Sequence, residues 1–463
     1  MRVPDFYKDF VCTADRCRHS CCIGWELDID DKTYETYCRQ PGPFGDRLRE
    51  AFLDIEEDGE TLHTFPLRED KTCPFLNERG LCDIILEMGE ANISVVCTEY
   101  PRYTRFLGDR IERTLSLSCE EVGRLLFGKT DKLTFVEVPD PAELAETEAD
   151  EEAALPGNSA FADEDALSGV SVSDDEVALG ELVADSDENE AEEDEAIFLD
   201  PDFIDGVRDE ALAILQDRQY PIHERIVQYM TYCRQVQDEV NEALDAMMAE
   251  ELEDENDEAD IYGEAADVCD EESRKTTSDG GVYGDADLSD AALCDARDDA
   301  PADEMQTAPL TLAEAFEERL GILDVMVVLD EEWQGVMDHF RKTMAEPDCY
   351  EAALRSFVAG MTSEREIAYE HLMVYFTFRY FSRAVEDADI YGKAAFSTFC
   401  WLVIRDMDLL FPEVGQIETA RMFSREVEHA EDNVAALMEE LIFSESLKMP
   451  AVTAIIDSHF VEN

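Results

Sequence analysis

The chain has 463 residues, of which 45% are hydrophobic, and a formal net charge of −76. This length accommodates two or three domains with a substantial core. So acidic a chain repels phosphate backbones, which argues against nucleic acid as a partner.

The acidic charge is concentrated in two stretches. Residues 141–196 hold 21 Asp and Glu and no Lys or Arg, and residues 250–308 hold 22 against three basic residues. Such segments bury too little apolar surface to offset the entropy lost on ordering. We therefore predict disordered acidic linkers over 138–196 and 250–308, which serve either as spacers or as attractors of lysine-rich surfaces.

The start of the chain and its hydropathy predict a cytoplasmic protein. Met1–Asp5 lead directly into a polar, aromatic segment without a signal-peptide pattern. No run of about 18 apolar residues is available to cross a membrane, so we expect no membrane partner. In a reducing compartment, clustered cysteines indicate metal ligands or redox groups rather than disulfides.

Cysteines cluster near the start of the chain, where residues 1–119 hold nine of the 14. This skew predicts a cysteine-rich metal-binding domain over 1–137. Eight of the nine are candidate ligands because four sulfurs must converge to hold zinc or an iron–sulfur cluster. The candidates are Cys12, Cys17, Cys21 and Cys22, followed by Cys73, Cys82, Cys97 and Cys119. Asn77–Gly80 is a turn signal that predicts a short hairpin, which would bring Cys73 and Cys82 together.

The residue types leave the metal open between zinc and an iron–sulfur cluster, since both accept all-cysteine ligation. The adjacent Cys21 and Cys22 disfavour a simple zinc finger, because neighbouring side chains usually point apart. His19 is a further candidate ligand, and Cys38 is interpreted as structural. Small buried core residues are the alternative reading of the whole set. The cysteines beyond the cluster are interpreted as packing residues (Cys233, Cys349, Cys400) or as incidental linker residues (Cys269, Cys294).

Helical periodicity dominates the rest of the chain. Residues 197–249 are predicted helical, with Pro221 before a helix start. Apolar residues there recur every three or four positions. They are Ile226, Met230, Cys233, Val236, Val240, Leu244 and Met247.

Residues 309–463 are predicted to form a helical bundle domain together with 197–249. Thr311–Glu314 and Ser363–Glu366 match the capping box. One long helix is predicted near 416–442. The expected fold is mainly α: a small cysteine-rich domain with a short hairpin, and a helical bundle interrupted by acidic disordered linkers.

Several blocks in one order resemble the flagellin lysine-N-methylase family. The N-terminal blocks are Phe10-Val-Cys12, Cys17-Arg-His-Ser-Cys21-Cys22-Ile-Gly-Trp25, Cys73-Pro-Phe-Leu76, Gly80-Leu-Cys82-Asp-Ile-Ile85, Cys97-Thr-Glu-Tyr-Pro-Arg102 and Ser116-Leu-Ser-Cys119. The C-terminal blocks are Tyr375-Phe-Thr-Phe-Arg-Tyr380, Asp389-Ile-Tyr391 and Phe423-Ser-Arg-Glu-Val-Glu-His429-Ala-Glu-Asp-Asn433. The resemblance covers roughly 3–125, 197–245 and 310–445, and its first part is also similar to zinc- or iron-chelating proteins with a Cys-Cys pair.

The resemblance implies transfer of a methyl group from S-adenosylmethionine to lysine ε-amines of flagellin or another lysine-rich surface protein. It also implies an iron–sulfur cluster, of the 4Fe–4S type, held by the N-terminal cysteines, with zinc as the alternative. No Gly-x-Gly-x-x-Gly motif follows a strand, so no familiar donor-binding signature is present. The competing hypotheses are a zinc- or iron-binding scaffold without catalysis and an electron-transfer protein. The oligomeric state is left open.

Five residues are candidates for the donor site and for catalysis. Arg379 and Arg383 lie one turn apart in an aromatic helix and could grip the donor's carboxylate, or they could snorkel from a core helix. Arg102 could neutralise an anionic cluster or the donor, or it could be a surface residue. Glu426 and His429 share a predicted helical face and could form half of a metal site or accept the lysine proton, or they could form a solvated face.

Overall fold

The computed structural model describes residues 1–139, 199–266 and 310–448, with Val452 and Ile456. Residues 25, 26, 58, 59, 109, 330 and 445 are not described within these ranges, and 250–266 are described as backbone only. The predicted acidic linkers therefore lie largely outside the described residues.

The strands of the described chain lie in the N-terminal segment 1–137 and form two sheets. The strands are β1 (Arg2–Pro4), β2 (Leu27–Ile29), β3 (Leu53–Glu57), β4 (Glu60–Phe65), β5 (Arg102–Leu107), β6 (Arg110–Leu115) and β7 (Phe135–Glu137). One sheet has the order β5-β6-β1-β7, in which β1 runs parallel to β6, and the other is antiparallel with the order β2-β4-β3. The strand-containing N-terminal region is confirmed, and it holds two sheets where the sequence predicted a short hairpin.

The predicted turn at Asn77–Gly80 is confirmed. Asn77 N donates to Leu81 O at 2.9 Å, and Gly80 has a φ of 71°, which glycine adopts without strain. A single bridge between Leu76 and Cys82 closes the turn, in place of the paired strands of a hairpin.

Helices make up most of the described chain, as predicted. The helices of the N-terminal segment are α1 (Asp31–Arg39), α2 (Gly42–Ala51), α3 (Asp83–Met88), α4 (Val95–Glu99) and α5 (Glu120–Phe127). The later helices are α6 (Pro201–Leu215), α7 (Ile222–Ala266), α8 (Leu312–Leu323), α9 (Glu331–Met344), α10 (Pro347–Ala359), α11 (Ser363–Tyr380), α12 (Ala384–Asp387), α13 (Ile390–Leu410), α14 (Gln416–Val427) and α15 (Glu431–Leu441). Short 3₁₀ turns lie at Tyr7–Asp9, Ala14–Arg16, Glu90–Asn92 and Phe381–Arg383.

The bundle is built around α13, which is buried from Lys393 to Leu409 without a break. A helix that is buried on all faces lies in the middle of a bundle. Helices α7 and α11 pack directly against it. Helix α11 is also buried without a break from Ala368 to Tyr380, so it is enclosed between α13 and the elements of the N-terminal segment.

The described residues form two apolar cores, and the larger one contains residues of both the N-terminal segment and the bundle. The smaller core contains Leu27, Tyr37 and Phe65 from the three-stranded sheet and its helices. The larger core unites the bundle with Leu115 and Leu126. A buried ion pair reinforces this union: the Arg208 guanidinium on α6 donates to Glu112 on β6 at 2.8 Å.

Capping and helix boundaries follow the predictions in part. The capping box at Thr311 and Glu314 is confirmed. The second predicted capping box was wrong by one residue: Thr362 caps α11 by accepting from Arg365 N at 3.3 Å. Glu366 instead accepts from Ile222 N at 2.8 Å, at the start of α7.

Two long-helix boundaries also differ from expectation. Helix α7 begins directly after Pro221, as predicted, but it continues to Ala266, into the stretch predicted as a disordered linker. The predicted helix over 416–442 is two helices, because the chain leaves helical geometry between Val427 and Glu431. In the described part of the chain, no helix combines the length and apolarity that a bilayer crossing needs.

One buried carboxyl group gives the fold a pH dependence. Burial raises the pKa of Asp408 to about 6, although Thr419 and Tyr369 donate hydrogen bonds to its carboxylate. The folded state therefore binds this proton more tightly than the unfolded state, and the destabilising charge is relieved as the pH falls. Between pH 7 and pH 4, we expect the folded protein to gain on the order of 3 kcal/mol relative to Asp408→Asn.

Urea unfolding of both proteins across this pH range measures the difference. The control is Asp46→Asn, because the Asp46 side chain is 70% exposed. A pH-independent difference for Asp408→Asn would contradict the raised pKa.

Candidate metal centre and the adjoining polar site

The first group of thiols lies against the smaller core and contains Cys22, Cys73, Cys82 and Cys97. The backbone positions them: Cys73 N donates to Cys22 O at 2.8 Å, and Cys82 forms the bridge that closes the 77–80 turn. Burial raises the pKa of Cys73 to about 12, with smaller contributions from the other three thiols. All four cysteines therefore pack on the same small core.

The second group contains Cys12, Cys17 and Cys119. Arg18 donates from N and Nε to the Glu120 carboxylate, at 3.2 Å and 3.1 Å, which places the 12–19 loop at the start of α5. Burial raises the pKa of Cys119 to about 11, with smaller contributions from Cys17 and Cys12. Of this group, Cys119 packs against the larger core, whereas Cys12 is exposed.

Cys21 and Cys22 join the two groups. The Cys21 thiol donates to Cys22, which lowers the pKa of Cys22 to about 7 and raises that of Cys21. The expectation that these neighbouring side chains point apart was wrong. Cys21 also interacts with Cys12 of the second group and with Cys97 of the first.

The donor set fits zinc or an iron–sulfur cluster in chemistry and in number. Four-thiol groups are what these centres use, and buried thiols with raised pKa values become anionic ligands when a cation replaces their protons. Within the described residues, no three Cys, His, Asp or Glu side chains form a group that could hold a metal ion. The thiols therefore lie near one another without forming a coordination shell.

The other metal-ligand candidates and the remaining cysteines lie elsewhere. His19 Nε2 pairs with Glu418 at 3.0 Å. Cys233 and Cys400 are buried, as predicted for packing residues. Cys349 is exposed, so its interpretation as a packing residue was wrong.

A polar site adjoins the second thiol group, and the Glu428 carboxylate is its centre. Arg379 Nε donates to Glu428 at 2.8 Å, and the Tyr375 and Tyr380 hydroxyls donate at 2.9 Å and 3.0 Å. The Glu428 side chain is fully buried, as is nearly all of Arg379. Burial opposes the charge on Arg379, yet Glu428 raises its pKa well above the ordinary value. This is a buried, fully engaged ion pair.

Serine hydroxyls continue the polar site toward the cysteines. Ser116 Oγ lies 3.2 Å from Ser424 Oγ and 2.8 Å from Ser118 Oγ. Ser118 precedes Cys119 directly and is bonded to Tyr100 at 3.1 Å and to His429 Nε2 at 2.8 Å. A continuous hydrogen-bond path therefore runs from Glu428 to the residue beside a candidate metal ligand.

His429 lies at the solvent-facing end of this path, since it is exposed in part. Desolvation by the surrounding protein, with smaller contributions from Arg425 and Arg379, lowers its pKa to about 4. The imidazole is therefore neutral at neutral pH.

Glu426 does not share this site, contrary to the expectation of one helical face with His429. Helix α14 ends at Val427, so His429 lies beyond the helix. The Glu426 carboxylate accepts from Leu329 N at 2.7 Å, while Asn433 Nδ2 donates to Glu426 O at 2.9 Å. These bonds hold the loop after α8 against α14 and α15.

The three predicted arginines lie in different surroundings. Arg379 is neutralised by Glu428, whereas Arg383 pairs with Glu431, whose side chain is 63% exposed. Arg102 donates to Thr98 O at 3.1 Å and lies over the Phe10 ring.

Sequence reasoning missed Tyr100, Ser116, Ser118 and Glu428. A signal was present for two of them: Ser116 and Ser118 are two residues apart directly after a strand, which places them on one side, and they lead into Cys119. No sequence pattern marks Glu428 as a site residue, because its partners lie on α11 and on the segment after β6.

Comparison with known proteins places the chain in a family. Residues 208–455 match the model of the FliB lysine N-methylase C-terminal domain, which is more than half of the chain. The chain belongs to this family.

Curated relatives match a smaller part. The chain is 25% identical over 147 residues to a lysine-N-methylase of Salmonella choleraesuis, and 24% identical over 137 residues to one of Salmonella typhimurium. Each match covers 29% of this chain and 34% of the relative, so the chain spans about a third of the length of these methylases. A flagellar biosynthetic protein FliU of Salmonella muenchen is 24% identical over 136 residues, covering 29% of this chain and 80% of that protein. No solved structure matches this chain.

The Arg379–Glu428 pair gives a stability prediction. We expect Glu428→Gln to lower the free energy of unfolding by about 3–5 kcal/mol, because it leaves a buried guanidinium without its counter-charge. Chemical denaturation monitored by circular dichroism measures the loss. The matched control is Glu386→Gln, which removes the 61%-exposed partner of Arg105 and should cost less than about 1 kcal/mol. Equal losses in the two variants would refute the central role of Glu428.

Proposed function

We propose that this chain is a protein-lysine N-methyltransferase that transfers the methyl group of S-adenosylmethionine to lysine ε-amines of flagellin. The family membership of residues 208–455 carries this proposal. The names of the relatives support it, since two are lysine-N-methylases and one is a flagellar biosynthetic protein. The matched region includes Tyr375, Arg379 and His429, so this side of the polar site lies within it, whereas Ser116 and Ser118 lie outside it.

The proposal includes a metal centre held by the cysteines, an iron–sulfur cluster of the 4Fe–4S type or, alternatively, zinc. Its ligands would be drawn from Cys12, Cys17, Cys21, Cys22, Cys73, Cys82, Cys97 and Cys119. Either group would supply a rigid cross-link between loops, and an iron–sulfur cluster would add one-electron chemistry.

Methyl transfer requires a neutral amine. The lysine nitrogen forms a bond to the methyl carbon while the carbon–sulfur bond of the donor breaks, and the surplus amine proton leaves to an acceptor. His429 is the candidate acceptor because its ring is neutral at neutral pH, is oriented by Ser118 at 2.8 Å, and reaches solvent, to which it can pass the proton on. Glu426 is committed to Leu329 and supports the loop instead.

The carboxylate of S-adenosylmethionine needs a cationic side chain whose present hydrogen-bond partner it can displace. Arg379 is fully engaged by buried Glu428. Arg383 can exchange its exposed partner Glu431 for the carboxylate, and Arg102 donates to the backbone carbonyl of Thr98, a neutral partner that a carboxylate can displace. These two arginines are therefore the candidates for donor binding.

A transfer assay tests the function. Purified full-length protein, loaded with iron and sulfide or with zinc, is incubated with flagellin and isotope-labelled S-adenosylmethionine. We expect label on flagellin lysines, located by mass spectrometry, and none on a flagellin whose surface lysines have been chemically blocked. No label on lysine with either metal form would reject the proposal.

His429 is tested by His429→Gln, whose amide can take the place of Nε2 in the bond to Ser118 but cannot take up a proton at neutral pH. We expect kcat to fall about 100-fold, with donor affinity unchanged. The control is His339→Gln, because the His339 ring packs at a tilt against Phe411, away from the polar site. An unchanged kcat in His429→Gln would remove His429 from the reaction.

A non-catalytic metal-binding scaffold is the second candidate. The Arg379–Glu428 pair favours the scaffold, because both side chains are already bonded within the protein. Buried ion pairs of this kind also occur where they serve only the structure. Titration with S-adenosylmethionine separates the two: micromolar binding supports the enzyme, and no binding supports the scaffold.

A further inference from the structure

We propose that the loop of residues 325–329, between α8 and α9, is the surface on which the protein substrate docks, through a lysine-bearing segment with apolar neighbours. This inference rests on the proposed function and deepens it, because it assigns the surface that holds the substrate beside His429.

The 325–329 loop presents apolar side chains to solvent. Val327 is 66% exposed and Val328 is 46% exposed, and Val325 and Leu329 are exposed as well. Met326 instead turns inward and joins the larger core. Single exposed apolar residues are common on protein surfaces, but several in one short stretch are typical of an interaction surface.

Two buried polar side chains hold the backbone of this loop in place. Asn433 Oδ1 accepts from Val327 N at 2.9 Å, and Asn433 Nδ2 donates to Val327 O at 3.0 Å. The Glu426 carboxylate accepts from Leu329 N at 2.7 Å. Both Asn433 and Glu426 are 1% exposed. The loop is therefore fixed before a partner arrives, which lowers the entropy that binding costs.

The 325–329 loop lies against the turn that carries His429. Glu426 comes three residues before His429 in the chain, and Asn433 follows it by four. Asn433 N also donates to Ala430 O at 3.0 Å, at the residue directly after His429. The two side chains that hold the loop thus flank this turn on both sides. A partner segment seated on the loop therefore lies beside the candidate proton acceptor.

The charges at the two ends of the loop select a basic partner. Glu331 begins α9 two residues beyond the loop, Asp432 directly precedes Asn433, and both acids are exposed. Among the described residues, neither acid has an ion-pair partner, whereas Asp324 is paired with Arg341 at 2.6 Å. A lysine of the partner would complement Glu331 or Asp432. A second copy of this chain would instead bring the same acids face to face.

Removal of the apolar side chains is the primary test, made on the full-length protein with flagellin as substrate. In Val327→Ser with Val328→Ser, we expect the KM for flagellin to rise about 10-fold, with kcat and the affinity for S-adenosylmethionine unchanged. Circular dichroism checks that the fold is retained. The matched control is Met247→Ser with Met248→Ser, an adjacent exposed apolar pair on α7. An unchanged KM, or equal changes in the two double variants, would overturn the inference.

Charge reversal tests the basic character of the partner. We expect Glu331→Lys with Asp432→Lys to raise the KM for flagellin about 5-fold at low salt, and by less at high salt, where charges are screened. The control is Glu50→Lys with Glu364→Lys, which changes the net charge equally at exposed positions on α2 and α11. The same KM in both double variants would contradict docking of a lysine-bearing segment.

Flagellin binding without the methyl donor, measured by isothermal titration calorimetry, separates this inference from the proposed function. Weaker binding by Val327→Ser with Val328→Ser, in a protein that does not methylate, supports the docking surface and rejects only the activity. Methylation with an unchanged KM in that variant rejects only the docking surface. Absence of flagellin binding by the unaltered protein would overturn the inference. A dimer in sedimentation velocity that the variant dissociates would also overturn it, because the loop would then bind a second copy.

Discussion

A single buried carboxylate, that of Glu428, is shared by three parts of the chain. It receives hydrogen bonds from two tyrosines of α11 and ion-pairs with Arg379 of the same helix, while the serines after β6 approach from the N-terminal segment. A buried anion is tolerated only when such partners replace its lost hydration. The requirement to satisfy this charge therefore fixes how the segment Ser116–Cys119, α11 and the end of α14 lie against one another.

The hydrogen bonds of the segment around Glu428 also explain why the apolar pattern over 416–442 predicts one helix where the structure has two. Its apolar stripe has the period of one helix and contains no Pro or Gly, so the pattern predicts continuity. The structure breaks the helix at Glu428–Ala430, where the two polar side chains of this segment bond to Tyr375 and Ser118. These partners are about 50 and 310 residues away in the sequence, and a local pattern carries no information about them.

Short sequence patterns predicted those features that depend only on residues close together in the chain. The capping box at Thr311, the helix start after Pro221 and the 77–80 turn were readable because each depends on residues within a few positions. The β5–β6 hairpin was also readable in principle, since Gly108 with a φ of 61° separates two β-rich runs, although it was not predicted. The parallel pairing of β1 with β6, which joins the start of the chain to residue 112, had no such signal.

The direct succession of Ser118 and Cys119 has a further consequence. One peptide unit connects a candidate metal ligand to the hydroxyl that orients the His429 ring. A peptide is planar and stiff, so the backbone of Cys119 and that of Ser118 cannot turn independently about the bond that joins them. A displacement of the Cys119 backbone would therefore also move the hydroxyl that orients the imidazole.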